Sequence, residues 1–264
     1  MKNQVSVELM DKLRGDAAAI IDFGRLVPFL AYADIRVEIS EGQGAAAENG
    51  EAKASGRDYG FSFGIRVIAG INIQSAGYFG QALGAADLDK FYVRLLDGFM
   101  RAYWRAMVNS DKKWEAMKRF PGLADSFFDT RLAPVEVCVD TVPAEFRINP
   151  LSVPLVKVVD AAVNVSKIIA ASAPEIRFNF VSALTGITRK LFMSTEGAVI
   201  DQTCALTQGF CYAMAASSQG QAVLYDIIGH QRGWEVIEEG VNEEFIKLPN
   251  LENFGREFAG TVVK

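Results

Sequence analysis

Few side chains in this sequence are of a type and spacing that could do chemistry. A hydroxyl and carboxylate run, Ser194-Thr195-Glu196-Gly197, lies inside residues 192–202 (FMSTEGAVIDQ), and the chain also holds three cysteines, Cys138, Cys204 and Cys211, and one histidine, His230. A hydroxyl beside a carboxylate can serve acyl transfer or acid–base work when a base or a metal stands next to it. His230, in the stretch IGHQRGW, has no second histidine with which to build a His-Glu-x-x-His zinc site. A Ser-His-Asp or Cys-His arrangement stays arithmetically open, with Cys204, Cys211 or a serine as nucleophile. Placed beside a turn glycine, His230 is read as structural or surface.

The cysteines are odd in number, widely spaced and set among apolar residues, which reads as reduced, buried thiols and not as a disulfide framework or a zinc knuckle. No Gly-x-Gly-x-x-Gly or Gly-x-x-x-x-Gly-Lys-Ser/Thr motif follows a predicted strand, so no nucleotide cofactor is implied. Glu238-Glu239 and Glu243-Glu244 read as solvated ends of helices or loops, and the triplet Asn164-Val165-Ser166 falls inside a helical pattern. Residue chemistry therefore assigns no catalytic, cofactor-binding or metal-ligating residue in this chain. A turn accounts for each member of Ser194-Thr195-Glu196-Gly197: Gly197 can take a positive φ, Ser194 and Thr195 can bond the turn backbone, and Glu196 stays in water.

Half of the 264 residues are hydrophobic, enough to bury a substantial core. Against 32 acidic residues stand 27 basic ones, and no long basic run appears beyond short pairs such as Lys112-Lys113 and Lys118-Arg119, which argues against a nucleic-acid partner. The opening Met1-Lys2-Asn3-Gln4 carries no apolar signal core, and no apolar run reaches the roughly 18 residues of a spanning helix. The expectation is a cytoplasmic protein without membrane contact.

The elements that must position these residues follow from periodicity. Residues 7–30 carry one or two helices, interrupted at Gly15 and Pro28, and Ile35, Val37 and Ile39 alternate with charge in a half-buried strand. Residues 41–60 are rich in glycine, alanine and charge and read as a mobile loop or poorly held hairpin, with Asn49-Gly50 as the turn signal. Residues 61–68 and 71–76 read as a hairpin about Ala69-Gly70. A long helix over 86–120, capped at Asp87, carries Leu88, Phe91, Tyr92, Leu95, Phe99, Ala102, Tyr103 and Ala106 along a wide apolar stripe, and Pro121-Gly122 ends it. An extended segment over 135–148 leads to a helix over 154–171 with Pro154 in its first turn. Strands at 175–182 and 188–193, parted by Thr185-Gly186, precede further strands at 201–217 and 221–229 joined by Ser218-Gln219-Gly220; turns this short require an antiparallel meander. Residues 242–264 return to near-helical spacing.

Taken in order, Tyr32-Ala33-Asp34-Ile35-Arg36-Val37-Glu38, then Gly64-Ile65-Arg66-Val67-Ile68-Ala69-Gly70, then residues 192–202, with a closing Phe254-Gly255-Arg256-Glu257-Phe258-Ala259, resemble the N-terminal and central regions of the TldD/PmbA metallopeptidases, once called modulators of DNA gyrase. That family has an ADxRxE strand, a GxRVxxxG hairpin and a Ser/Thr-Glu-Gly turn. It also has a glycine-aromatic pair on the far strand of the hairpin, where residues 71–76 read INIQSA. The resemblance implies a zinc peptidase acting on unfolded or flexible peptides, working as a dimer of like or related subunits. The family's zinc motif, His-Glu-x-x-x-His, belongs to a C-terminal half that would start after residue 264, so no metal residue is carried onto this chain and His230 does not match it.

The resemblance thus implies a chain that is inactive alone and contributes dimerisation and substrate guidance. The alternative is a stand-alone, non-catalytic binding or assembly paralogue. The fold expected is α+β, with two units of largely antiparallel sheet covered by helices and one long helix in the N-terminal half. A boundary between Pro121 and Pro154 would give a first domain over 1–130 and a second over 131–264.

Overall fold

The computed structural model describes residues 6–123, 136–218 and 220–263. Ala133, Pro134 and Val135, at the expected start of the extended segment, and Gln219, in the expected turn, lie outside them. The helices are α1 (Met10–Gly24), α2 (Phe91–Arg119), α3 (Leu155–Ser172), α4 (Glu235–Glu238) and α5 (Leu251–Val262). The strands are β1 (Leu30–Glu48), β2 (Glu51–Ala69), β3 (Ser75–Ala82), β4 (Val139–Val142), β5 (Ile176–Ser194), β6 (Val199–Ser217) and β7 (Gly220–His230), with the short pair β8 (Val241–Asn242) and β9 (Lys247–Leu248). The main sheet runs β3-β2-β1-β5-β6-β4, with β7 also on β6; β4 pairs with β6 in parallel, and the β2–β3 and β6–β7 pairs are antiparallel. The architecture is α+β.

Two compact units make up the chain. The first gathers residues up to Ile39, Gly60–Val142 and Arg189–Gln202; the second gathers Ser40–Tyr59, Pro143–Thr188 and the residues from Thr203 onward. They are interleaved along the sequence, whereas a single boundary between Pro121 and Pro154 anticipates consecutive domains. The cause is strand length: β1, β2, β5 and β6 have 19 residues each and contribute to both units.

In the first unit, the alternation of β1 buries Ala33, Ile35, Val37 and Ile39, and that of β2 buries Phe61, Phe63, Ile65, Val67 and Ala69. Leu13, Ala17, Ile20 and Ile21 of α1 and Phe91, Leu95, Phe99 and Ala106 of α2 close over them. The long helix begins at Phe91, after a 3-10 turn over Ala85–Lys90. Asp87 lies inside that turn and caps it from its third position, its carboxylate accepting the N-cap Gly84 N–H at 3.1 Å. The far strand of the hairpin starts at Ser75, later than the sequence pattern implied, with Arg66 opposite Tyr78 and Gly64 opposite Gly80. The glycine-aromatic pair that the resemblance places on that strand is therefore present, as Gly77-Tyr78.

In the second unit, residues 41–60 form an ordered hairpin, not a loose loop. Asn49 and Gly50 take φ of 48° and 84°, the twist a two-residue turn requires. The Asn49 side chain accepts the Asn179 N–H at 2.9 Å, and the Gly50 N–H donates to the Ser166 hydroxyl at 2.8 Å. Strand β5 continues unbroken through Thr185-Gly186, where the Glu41 carbonyl passes 2.6 Å from the position a Cβ on Gly186 would take. The absent side chain marks a close backbone approach and not a turn. Residues 241–248 form the β8–β9 pair instead of a helix, because Pro249 precedes the true helix start, where the Asn250 side chain accepts the Asn253 N–H at 2.9 Å. Val158, Ala162, Val165 and Ile169 of α3 and Leu251, Phe258 and Val262 of α5 cover Ala45, Ala47, Val181, Ala183, Cys211 and Ala213.

Candidate functional site

Ser194-Thr195-Glu196-Gly197 joins β5 to β6. Ser194 donates its N–H to Ala198 O at 3.0 Å, Gly197 donates to Ser194 O at 3.1 Å, and Gly197 has φ of 104°. Glu196 is exposed. Thr195 does more than close the turn: its hydroxyl accepts the Ala33 N–H at 3.0 Å, while its own N–H donates to Ala33 O at 2.9 Å. The turn is thereby tied to the Tyr32–Asp34 stretch of β1. One residue on, the Asp34 carboxylate is 1% exposed and accepts both Nε and a terminal nitrogen of Arg66 at 2.7 Å. Arg66 lies 5.4 Å over the Tyr32 ring, and Arg36 lies 5.5 Å over the Phe192 ring. Burial, followed by the Asp34 charge, pushes the Tyr32 phenol above its ordinary range. The motif residues of β2, β1 and β5 thus form one cross-strand set of ion pairs and ring contacts. Every charge in it is occupied by a neighbour, and none is presented as a nucleophile or base.

A second ionic cluster anchors α1 within the same unit. Asp201, 1% exposed, accepts from Arg189 at 2.9 and 2.7 Å and also from Arg14. Arg189 reaches Asp11 at 2.6 Å as well. The hydrogen bonds from Arg189 hold the Asp201 carboxyl below its ordinary range against the opposing effect of burial. Sequence reasoning missed both buried aspartates. The available signal was an acidic residue inside an alternating apolar run.

The thiols and the histidine do not assemble. Cys138 is exposed, Cys204 is half-buried and only Cys211 is buried, so the expectation of three buried thiols fails at the first two. Burial pushes the Cys211 thiol up to about 12, far from a reactive thiolate. His230 pairs with Thr207 on β6, and Cys211 pairs with Asp226. Four residues of strand, about 13 Å, separate the two positions. Among the described residues no group of three or more His, Cys, Asp and Glu side chains is placed to hold a metal ion, so the residues present do not fit the zinc that the resemblance implies.

In the second unit an open cavity of about 680 Å³ lies between the segment holding Glu145 and Arg147 and the α4 region. Its arginines are paired, Arg232 with Glu145 and Glu243, and Arg147 with Glu239. Glu235 is 3% exposed and accepts the N–H groups of Arg147, Ile148 and Gly233 at 2.8 to 3.1 Å. Burial raises its pKa, but these backbone donors outweigh that and hold it below the ordinary range. The carboxylate clamps the 146–148 segment to the start of α4. This also accounts for a glutamate beside the fully buried Trp234.

Two further features concern contact with other molecules. Along residues 51–58 every β2 side chain is exposed, and the β3 register begins only at Ser62, so among the described residues no strand covers the outer edge of that stretch. No described helix is long and apolar enough to cross a membrane.

No protein-family model and no curated protein matches this sequence. Solved structures do match its fold. TldE from Thermococcus kodakarensis superposes with a TM-score of 0.59 at 12% identity, over 94% of this chain and 47% of that one. A proposed modulator of DNA gyrase from Thermotoga maritima MSB8 gives 0.54 at 13% identity, over 96% and 48%. Another, from Bacteroides thetaiotaomicron VPI-5482, gives 0.61 at 10% identity, over 97% and 50%. The chain spans about half the length of each of these structures. At these identities the likeness is one of fold, and it agrees with the resemblance carried by the three sequence motifs.

Proposed function

We propose that this chain performs the non-cleaving work of a TldD/PmbA-like peptidase: pairing with a like or related subunit and guiding unfolded or flexible peptide, in the cytoplasm and without a cofactor of its own. The observation that carries this reading is a fold shared over nearly the whole of this chain with about half of each neighbour, together with described residues that offer no metal-holding group. The open edge of β2 over residues 51–58 supports the guiding role. An extended peptide can add there as a strand, held by main-chain hydrogen bonds that make little demand on its sequence.

The test is metal analysis of the purified chain, a peptidase assay on an unstructured peptide, and a binding titration with the same peptide. Binding without cleavage and without stoichiometric zinc is expected. Zinc at one equivalent, or cleavage by this chain alone, would falsify the reading.

A further inference from the structure

The second unit covers one side of its sheet with α3 and α5 and leaves the other side open. On that open side Leu184, Leu206, Val223, Tyr225 and Ile227 are 38%, 48%, 57%, 67% and 52% exposed. They belong together: the β6–β7 register sets Phe210 opposite Ile227, Tyr212 opposite Tyr225 and Met214 opposite Val223. The Phe180 and Phe210 rings lie 6.1 Å apart and the Phe210 and Tyr225 rings 6.4 Å apart, an aromatic track across β5, β6 and β7. The outward positions 178–184 of β5, 206–214 of β6 and 221–229 of β7 include no Lys, Arg, Asp or Glu.

Allowing at most roughly 200 Å² per side chain, these five exposed fractions amount to on the order of 500 Å² of mostly apolar surface. That stands at the upper end of the largest patch a monomer shows, and it would form the apolar centre of the roughly 800 Å² that each partner covers in a stable interface. The chain as a whole carries a net charge of −5, so two copies repel one another over most of their surface. An uncharged face lets like copies meet without opposing carboxylates. We infer that this face is the contact between two copies of this chain, packed sheet on sheet about a twofold axis, with Tyr225 and Ile227 at its centre. The inference rests on the subunit-pairing part of the function proposed above and assigns the surface that does it.

Light scattering on the eluting 264-residue chain tests it. The expected mass is twice 28.8 kDa for the unaltered chain and 28.8 kDa for Tyr225→Glu with Ile227→Glu, with an unchanged far-ultraviolet circular dichroism spectrum. If the glutamate variant does not fold, Tyr225→Thr with Ile227→Thr decides, since threonine keeps strand propensity and removes the apolar contact. As a control, Trp104→Glu with Val108→Glu, exposed on α2, should leave the mass doubled. A dimer that survives the sheet-face substitutions, or one that only the α2 control splits, overturns the assignment of the face while leaving subunit pairing in place. An unaltered chain that remains at 28.8 kDa overturns the face contact and the pairing together, while the zinc and peptide assays judge the rest of the proposed function separately. Loss of peptide binding in a Tyr225→Glu, Ile227→Glu chain whose mass stays doubled would make the face a peptide platform and also overturns the inference.

Discussion

At the scale of single residues, Asp201 is the most consequential charge in the first unit. It is buried between two arginines, so Asp201→Ala leaves Arg189 and Arg14 without their shared acceptor and should cost about 3 kcal/mol in urea unfolding. Its folded-state pKa is depressed, chiefly by the Arg189 hydrogen bonds. The stability it contributes is therefore complete above the ordinary aspartate value of about 3.9 and is lost as the pH falls through the lower, folded value. The Asp201→Asn chain should accordingly show a flatter decline of urea midpoint below about pH 4 than the unaltered chain; equal slopes would remove Asp201 from the acid response. Thiol labelling makes a second prediction at this scale. Cys138 should react first and Cys211 only after denaturation, because burial holds the Cys211 thiol up near 12. Rapid labelling of Cys211 in the folded chain would contradict that burial. The buried faces of β1 and β2 were legible residue by residue, since strict alternation has one solution. The partners of Asp34 and Asp201 were not, because Arg66 and Arg189 reach them from other strands, and Arg14 reaches Asp201 from α1.

Elements show the same division between local and distant causes. Helix α2 follows the apolar stripe seen in the sequence, but its seat on β3 depends on Gly77. A Cβ there would collide with the Ala102 carbonyl and the Ala106 nitrogen of the helix backbone. Gly77→Val should thus lower stability by about 3 kcal/mol, read as a reduced thermal midpoint, while a neutral result would show that helix and strand can separate at little cost. Gly186 of β5 looks like punctuation in one dimension and is a point of close packing in three, as Gly77 of β3 also is. At Asn49-Gly50 the turn chemistry was legible, but the order of the hairpin was not. That order comes from Asn179 and Ser166, which lie far along the chain.

For the whole molecule, the acidic balance leads to a prediction against the name borne by two of its structural neighbours. With 27 basic and 32 acidic residues, this chain should not retard duplex DNA at physiological salt in a gel-shift assay, and a salt-sensitive shift would reveal a basic surface that composition hides. By itself the sequence determined the α+β class, the position of the long helix, the absence of a second histidine, and three motifs whose order agrees with the fold of the TldE and gyrase-modulator structures. These properties follow from composition and from side-chain periods of 2 and 3.6 residues, which are local. Only the tertiary structure decided that four long strands contribute to two interleaved units and that Thr195 ties the Ser194–Gly197 turn to Ala33. It also decided that the aromatic side of β5, β6 and β7 stays uncovered. Each of these depends on strand register and pairing between distant segments, which alternation along one segment does not encode.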